Sequence, residues 1–191
     1  MINKKIRRMT KIYIFLADGF ETVEAMAPVD VMRRAGLSVT TVSIMGRREV
    51  LSAQGVPVVA DAIMGDFSLS DANALVLPGG GEGTENLSAS AAVREEVERM
   101  NGEGKLIAAI CAAPMVFGRM GILEERRATC YPGCEIDLKG AVYTAAKVEV
   151  DGNIITACGP GASFDFGFAI VEHFCGSETV ATIRSQMQFD K

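Results

Sequence analysis

The run KLIAAICAAPMVFGRM, residues 105–120, constrains this chain more than any other stretch. Residues 105–110 are apolar apart from Lys105 and read as a strand buried on both faces of a sheet. Cys111 follows. Residues 112–120 are helix-like, with Pro114 in the first turn, where its missing N–H is tolerated. A cysteine at such a turn has its sulfur near the unpaired N–H groups of the helix start, which favour the thiolate and lower its pKa. The thiolate is the nucleophilic form, and the arrangement is that of a nucleophile elbow with sulfur in place of the serine oxygen. The plainer reading makes Cys111 a small buried hydrophobe, as most free cysteines are. This run alone satisfies both.

The flanking sequence supplies a frame for the elbow. Residues 11–17 (KIYIFLA) form a short apolar strand broken by Asp18-Gly19. A helix follows to Gly36, with Arg33 and Arg34 in its last turn as the dipole prefers, and Pro28 inside it predicts a separate or kinked first turn. Glu21 and Glu24 sit at its start. They read either as acidic residues favoured by the dipole or as one acid pointing to the sheet's carboxyl edge. Further strands are predicted at 38–44, at 49–60 as a pair around Gly55 and Pro57, and at 74–77. The last runs into PGGGEG, whose residues 79–83 read as a βα loop with backbone N–H groups open to a bound group. It lacks both the GK[ST] of a phosphate loop and the GxGxxG spacing, so no nucleotide or other cofactor is expected.

Beyond it lies an exposed helix at 89–103, where Arg94–Glu98 and Glu95–Arg99 have favourable i,i+4 spacing. After the elbow come short strands at 126–131, 141–143 and 147–150, a hairpin turn at Asp151-Gly152-Asn153 and a strand at 153–157. Helices are predicted at 163–174, with phenylalanines facing the core, and at 178–186. Strands alternating with helices imply an α/β three-layer sandwich around a mostly parallel sheet. Ligands of such folds bind beyond the carboxyl ends of the strands. The turns at 18–24, 78–83 and 111–114 all fall there.

Composition narrows the function. The 191 residues suit one domain, read as 10–191, and residues 1–9 read as a disordered arm or a start-site extension with Met9 as a second start. A net charge of −5 and the absence of Trp argue against a nucleic-acid-binding module. No apolar run approaches membrane-spanning length, and no signal-peptide apolar segment follows the basic start, so a cytoplasmic protein is expected. The cysteines are Cys111, Cys130, Cys134, Cys158 and Cys175, an odd and scattered set that reads as free thiols rather than a disulfide framework. With a single histidine, His173, and no CxxC, no metal site is expected. His173 reads as a helix-end or surface residue.

Taken together, ADGFETVEAMAPVDVMRRAG (17–36), VLPGGGEGTENLSAS (76–90), LIAAICAAP (106–114) and CGPGASFDFGFAIVE (158–172) resemble the ThiJ/PfpI superfamily, in its Parkinsonism-associated protein deglycase branch. The motifs stand in family order across nearly the whole chain. The resemblance implies a flavodoxin-like sandwich related to class I glutamine amidotransferases, and a homodimer. By residue, it implies Cys111 as the nucleophile, Glu24 as a buried acid hydrogen-bonded to it, and the N–H groups of Gly80 and Ala112 as an oxyanion pocket. It implies glyoxalase-type turnover of methylglyoxal and deglycation of early adducts on proteins and nucleotides, with small aldehydes or glycated proteins as partners. The alternative is a non-enzymatic redox-sensing chaperone that uses oxidation of Cys111.

The chain departs from the family pattern at two places. Tyr131 stands where many branch members carry a histidine, so no His-assisted triad is expected, and a phenol is a poor base at neutral pH. Cys158 stands where some relatives carry an arginine before the GPG turn. Tyr131, Cys158 and Pro160 are therefore candidate pocket residues. Ala112 directly follows Cys111, where a protease of the PfpI branch wants histidine, and a glutamine amidotransferase also needs a histidine partner. An acid beside a thiolate in an apolar pocket leaves one proton between the two, and Glu24 is expected to hold it.

Overall fold

The computed structural model describes residues 9–189. The disordered arm or extension expected at the N-terminus lies, apart from an exposed Met9, outside the described residues. Among the described residues, eleven strands and six longer helices follow one another as β1 (Lys11–Leu16), α1 (Thr22–Arg34), β2 (Ser38–Ser43), β3 (Glu49–Leu51), β4 (Pro57–Val59), β5 (Ala62–Ile63), β6 (Ala74–Leu77), α2 (Gly81–Ala89), α3 (Ala91–Gly102), β7 (Leu106–Ile110), α4 (Pro114–Arg119), β8 (Arg127–Ala128), β9 (Val142–Tyr143), β10 (Val148–Asp151), β11 (Ile154–Ala157), α5 (Ser163–Cys175) and α6 (Ser177–Gln186).

The main sheet has the order β10-β11-β7-β6-β1-β2-β5. Its neighbours pair in parallel except at the β10–β11 hairpin, turned at Gly152 with φ 60°. Strand β7 shows why the sheet is covered on both faces. Leu106, Ala108 and Ile110 join one core with Val31, Phe166, Ile170 and Ile183 from α1, α5 and α6. Ile107 and Ala109 join the other with Leu87, Val97 and Phe117 from α2, α3 and α4. A strand apolar on both faces is stable only inside such a sandwich. In register, Leu77 of β6 faces Ala109 and Ala157 of β11 faces Ile110, so the carboxyl ends of the three strands finish level.

Several local expectations need correction. Pro28 does not separate or break α1, which runs continuously from Thr22 to Arg34. The helix is pressed against α5, where a Cβ on Gly167 would lie 3.0 Å from Pro28 Cα and 3.2 Å from Val31 Cβ. That packing outweighs the lost hydrogen bond. Residues 79–83 are not all loop, because α2 begins at Gly81. The helix expected at 89–103 starts later, at Ala91, since Ser90 ends α2 and caps α3 by accepting from Val93 N–H. Within α3, Arg99 pairs with Glu96 and Glu103 rather than Glu95, and Arg94 donates to the Ser88 carbonyl. The strand expected at 126–131 shrinks to Arg127–Ala128. The short β5 carries no periodicity to reveal it in the sequence.

The turn after β1 is fastened twice. Gly19 N–H donates to Leu51 O and Ala53 N–H to Phe20 O, which ties it to the β3–β4 hairpin. On its other side α2 lies against it so closely that a Cβ on Gly83 would stand 2.7 Å from Phe20 N and Cα. Real Cβ atoms do not approach backbone so closely. Gly83→Ala is therefore expected to destabilise the fold by about 1–3 kcal/mol through overpacking, against a helix-propensity gain of about 1 kcal/mol. Denaturant midpoints of variant and wild type measure it, and an unchanged or raised midpoint would refute the steric argument.

Candidate active site

The site is assembled from three turns at the level carboxyl ends of β1, β6 and β7. Cys111 has φ 65°, a left-handed conformation rare outside glycine. Such a residue costs on the order of 1–3 kcal/mol and persists only where its surroundings hold it. Here its N–H donates to Ala157 O at 2.8 Å and its carbonyl accepts from Tyr131 N–H at 2.7 Å. Pro114 occupies the first turn of α4, as expected. Cys111 and Ala112 are each 8% exposed, so the thiol is reachable through a narrow opening only.

Glu21 and Glu24 divide the two roles that their sequence positions leave open. Glu21 caps α1, its Oε2 accepting from Glu24 N–H at 2.7 Å. Glu24 is fully buried one turn in. Its Oε2 accepts from Gly79 N–H at 2.9 Å. Its Oε1 has no N–H or O–H donor among the described residues, and the carboxyl's remaining partner is the Cys111 thiol. Gly79 is the residue that sequence reasoning missed. A Cβ there would lie 2.6 Å from both Cys111 Cβ and Glu24 Oε2, so only glycine lets acid and thiol meet. The signal was present in the glycine run, but nothing in the run says which glycine touches what.

The N–H groups of Gly80 and Ala112 both reach the Cys111 sulfur. Gly80, with φ 91°, caps α2, and a Cβ on it would lie 2.2 Å from Gly19 O. The four residues Cys111, Glu24, Gly80 and Ala112 are thus brought together. The other three candidates lie at the rim. Tyr131 is half exposed and its ring faces Gly159, Cys158 is half-buried with its N–H on Lys147 O, and exposed Pro160 accepts from Ser163 Oγ. None of these contacts reaches the sulfur. His173 sits exposed in the last turn of α5.

The electrostatics correct one expectation. The helix start was to lower the Cys111 pKa, and the Gly80 and Ala112 N–H groups do act in that direction. Burial and the adjacent Glu24 outweigh them and push the thiol up to about 12. Burial also raises Glu24, to about 7, against the opposing hydrogen bonds with Cys111 and Gly79. Thiol and carboxyl therefore behave as one group that sheds its first proton near neutrality and holds the second firmly.

Glu24 has a folded pKa above its ordinary value of 4.5, so its proton stabilises the fold at low pH. That contribution is complete below pH 4.5 and is lost as pH rises through about 7. At about 1.4 kcal/mol per unit, the loss amounts to roughly 3 kcal/mol. Glu24→Gln removes the titration. Its stability relative to wild type should rise by that order between pH 4.5 and 8, and denaturant unfolding at several pH values measures it. A difference independent of pH would show that Glu24 does not titrate in this range.

Comparison with known proteins identifies the family and the fold. The model of the DJ-1/PfpI family matches residues 10–173. A Parkinson disease protein 7 homolog of Danio rerio is 38% identical over 91% of this chain and 94% of its own length. A protein of Pyrococcus abyssi named a deglycase is 33% identical over 79% of this chain and 91% of its own. Among solved structures, a cysteine-to-alanine mutant of a Salmonella typhimurium DJ-1 superfamily protein superposes with TM-score 0.90 at 34% identity, covering 94% of this chain and 98% of that one. Oxidized Toxoplasma gondii DJ-1 superposes with TM-score 0.91 at 29% identity, covering 95% and 100%. With the family model spanning most of its length and relatives matched nearly end to end, the chain belongs to the DJ-1/PfpI family.

Proposed function

We propose that the protein is a cysteine-dependent glyoxalase and deglycase, acting on methylglyoxal-like 2-oxoaldehydes and on their early adducts with proteins and nucleotides. The observation that carries this reading is the buried Glu24–Cys111 pair, which loses a proton near neutral pH beside two N–H groups converging on the sulfur. The relative named a deglycase supports it.

The chemistry follows from the pair. As the sulfur bonds to the aldehyde carbon, the C=O electrons move to oxygen, where the N–H groups of Gly80 and Ala112 meet the charge. The thiol proton passes to Glu24 and from it to that oxygen, giving a hemithioacetal. Glu24, now a carboxylate, takes the proton from the carbon bearing sulfur, which the neighbouring ketone acidifies, and an enediolate results, to whose charged oxygen the hydroxyl proton beside sulfur moves. The proton returns to the neighbouring carbon and leaves a 2-hydroxy thioester. Water cleaves the thioester and restores the thiol. Methylglyoxal plus water becomes lactate with no net gain or loss of electrons, so the balance calls for no redox cofactor. An early adduct holds the same aldehyde as a carbinolamine or hemithioacetal and enters this sequence once the amine or thiol leaves.

Two further parts of the reading concern setting. We place the protein in the cytoplasm, where its free thiols stay reduced. No described helix is long and apolar enough to cross a membrane. We also infer a homodimer. The apolar surface we assign to it is Val23 at the start of α1 with Leu51, Val56 and Val59 of the hairpin, all at least 45% exposed. Thr22 binds Gln54 and joins the two pieces into one patch.

A second reading, the redox-sensing chaperone, draws support from the relative solved in an oxidized state. The same acid and N–H groups would hydrogen-bond to a sulfinate at Cys111.

Lactate formation from methylglyoxal separates the readings. Cys111→Ser should fall to the uncatalysed rate. Glu24→Gln should lose about 10²–10⁴-fold, the scale of a general acid–base contribution. Tyr131→Phe should keep most of the activity. Wild-type turnover no faster than that of Cys111→Ser would leave the redox reading standing and remove the enzymatic one. Light scattering at micromolar concentration tests the dimer, and a monomer mass would refute it.

A further inference from the structure

Beside the elbow lies a second pair of thiols that the proposed chemistry does not use. The segment CYPGC holds Cys134 at the last position of a tight turn and Cys130 directly before its first. Cys134 N–H donates to Tyr131 O at 3.0 Å, and Gly133 at the third position of the turn has φ 96°. Together with Pro132 at the second position this is the pattern of a type II turn over residues 131–134, which brings the Cα atoms of Tyr131 and Cys134 within about 7 Å and turns the chain back toward Cys130. Cys130 is fully buried, Cys134 is half-buried and packs on the same core cluster, and the two thiols interact electrostatically.

The turn is also wired to the candidate active site. Tyr131, its first residue, donates its N–H to the Cys111 carbonyl, and its ring lies on Gly159 at the rim. We propose that Cys130 and Cys134 form a reversible disulfide that locks the Tyr131 turn against Cys111, making the nucleophile's surroundings sensitive to the thiol–disulfide state of the cell. The oxidant is a low-molecular-weight disulfide such as oxidised glutathione.

The half-exposed Cys134 reacts first. Its thiolate attacks one sulfur of the oxidant, the S–S bond breaks, and one glutathione thiolate departs. Burial, Glu135 and Asp137 raise the Cys134 thiol, and Arg119 opposes them only in part. The Cys130 thiolate then attacks the Cys134 sulfur and expels the second glutathione. The protein loses two electrons and two protons, and both appear in two molecules of reduced glutathione. Burial, Cys134 and Glu135 hold Cys130 in its protonated form.

The test uses the full chain in graded ratios of oxidised to reduced glutathione, quenched with iodoacetamide and digested with trypsin. One peptide, residues 128–139, holds both cysteines, and another, 106–119, holds Cys111 alone. In wild type the first peptide should become lighter by two hydrogens and refuse the label. In Cys130→Ser the reaction should stop at glutathione on Cys134. Closure of the disulfide should also change the rate of Cys111 labelling several-fold, and Cys130→Ser should not reproduce that change. Wild type that stops at glutathionylated Cys134, or Cys134 linked instead to Cys111 or Cys158, would overturn the disulfide. A closed disulfide with an unchanged Cys111 rate would overturn its coupling to the site.

Discussion

Everything at the carboxyl edge of the sheet depends on burying an acid against a thiol. Two titratable groups inside an apolar core carry a desolvation cost that neither can relieve alone. Glu24 and Cys111 relieve it by sharing protons, with Gly79 N–H on the carboxyl and the Gly80 and Ala112 N–H groups on the sulfur. Remove any one of these donors and the pair's ionisation moves. The glycines between β6 and α2 serve this contact: Gly79 admits the acid to the thiol, and Gly80 and Gly83 let the turns after β1 and β6 touch.

This explains why the residue between strand and helix holds an unfavourable backbone conformation. A cysteine with an ordinary φ at this corner would direct its Cβ elsewhere. The level ends of β6, β7 and β11 supply the acceptor that fixes it, since Ala157 O lies beside Cys111 N–H. Site and sheet are thus one construction. The register of three strands sets where the sulfur stands, and the bare backbone of Gly79 leaves the space in which the acid meets it.

Most of this frame was legible in the sequence because its strands are short apolar runs punctuated by glycine and its helices carry charges at their ends. Strand β6 and the β10–β11 hairpin fell where the residues said they would. What escaped was decided by contacts distant in the chain. Pro28 argues locally for a break, and only α5 overrules it. The glycines of 79–83 argue for a loop, and only the packing of Gly83 on Phe20 shows that helix begins among them. Glu21 and Glu24 look alike in the sequence. One becomes a cap and the other a buried acid because of where the turn after β1 directs the chain. The expected low pKa of Cys111 failed for the same reason, since helix-start N–H groups are visible in a sequence and the depth of burial is not.

Pro28 has one more consequence. A proline four residues after Glu24 has no N–H to offer the Glu24 carbonyl, so the first turn of α1 is joined to the rest of the helix by one rung fewer than an ordinary helix. The acid therefore rides on a stretch of backbone that yields more readily than the elbow it faces. A thiol, a tetrahedral carbon centre and a sulfur bearing two oxygens differ in size by more than a rigid hydrogen bond tolerates. In the proposed chemistry, a compliant mount for the carboxyl would let one side chain follow all three while the strained cysteine opposite it stays still.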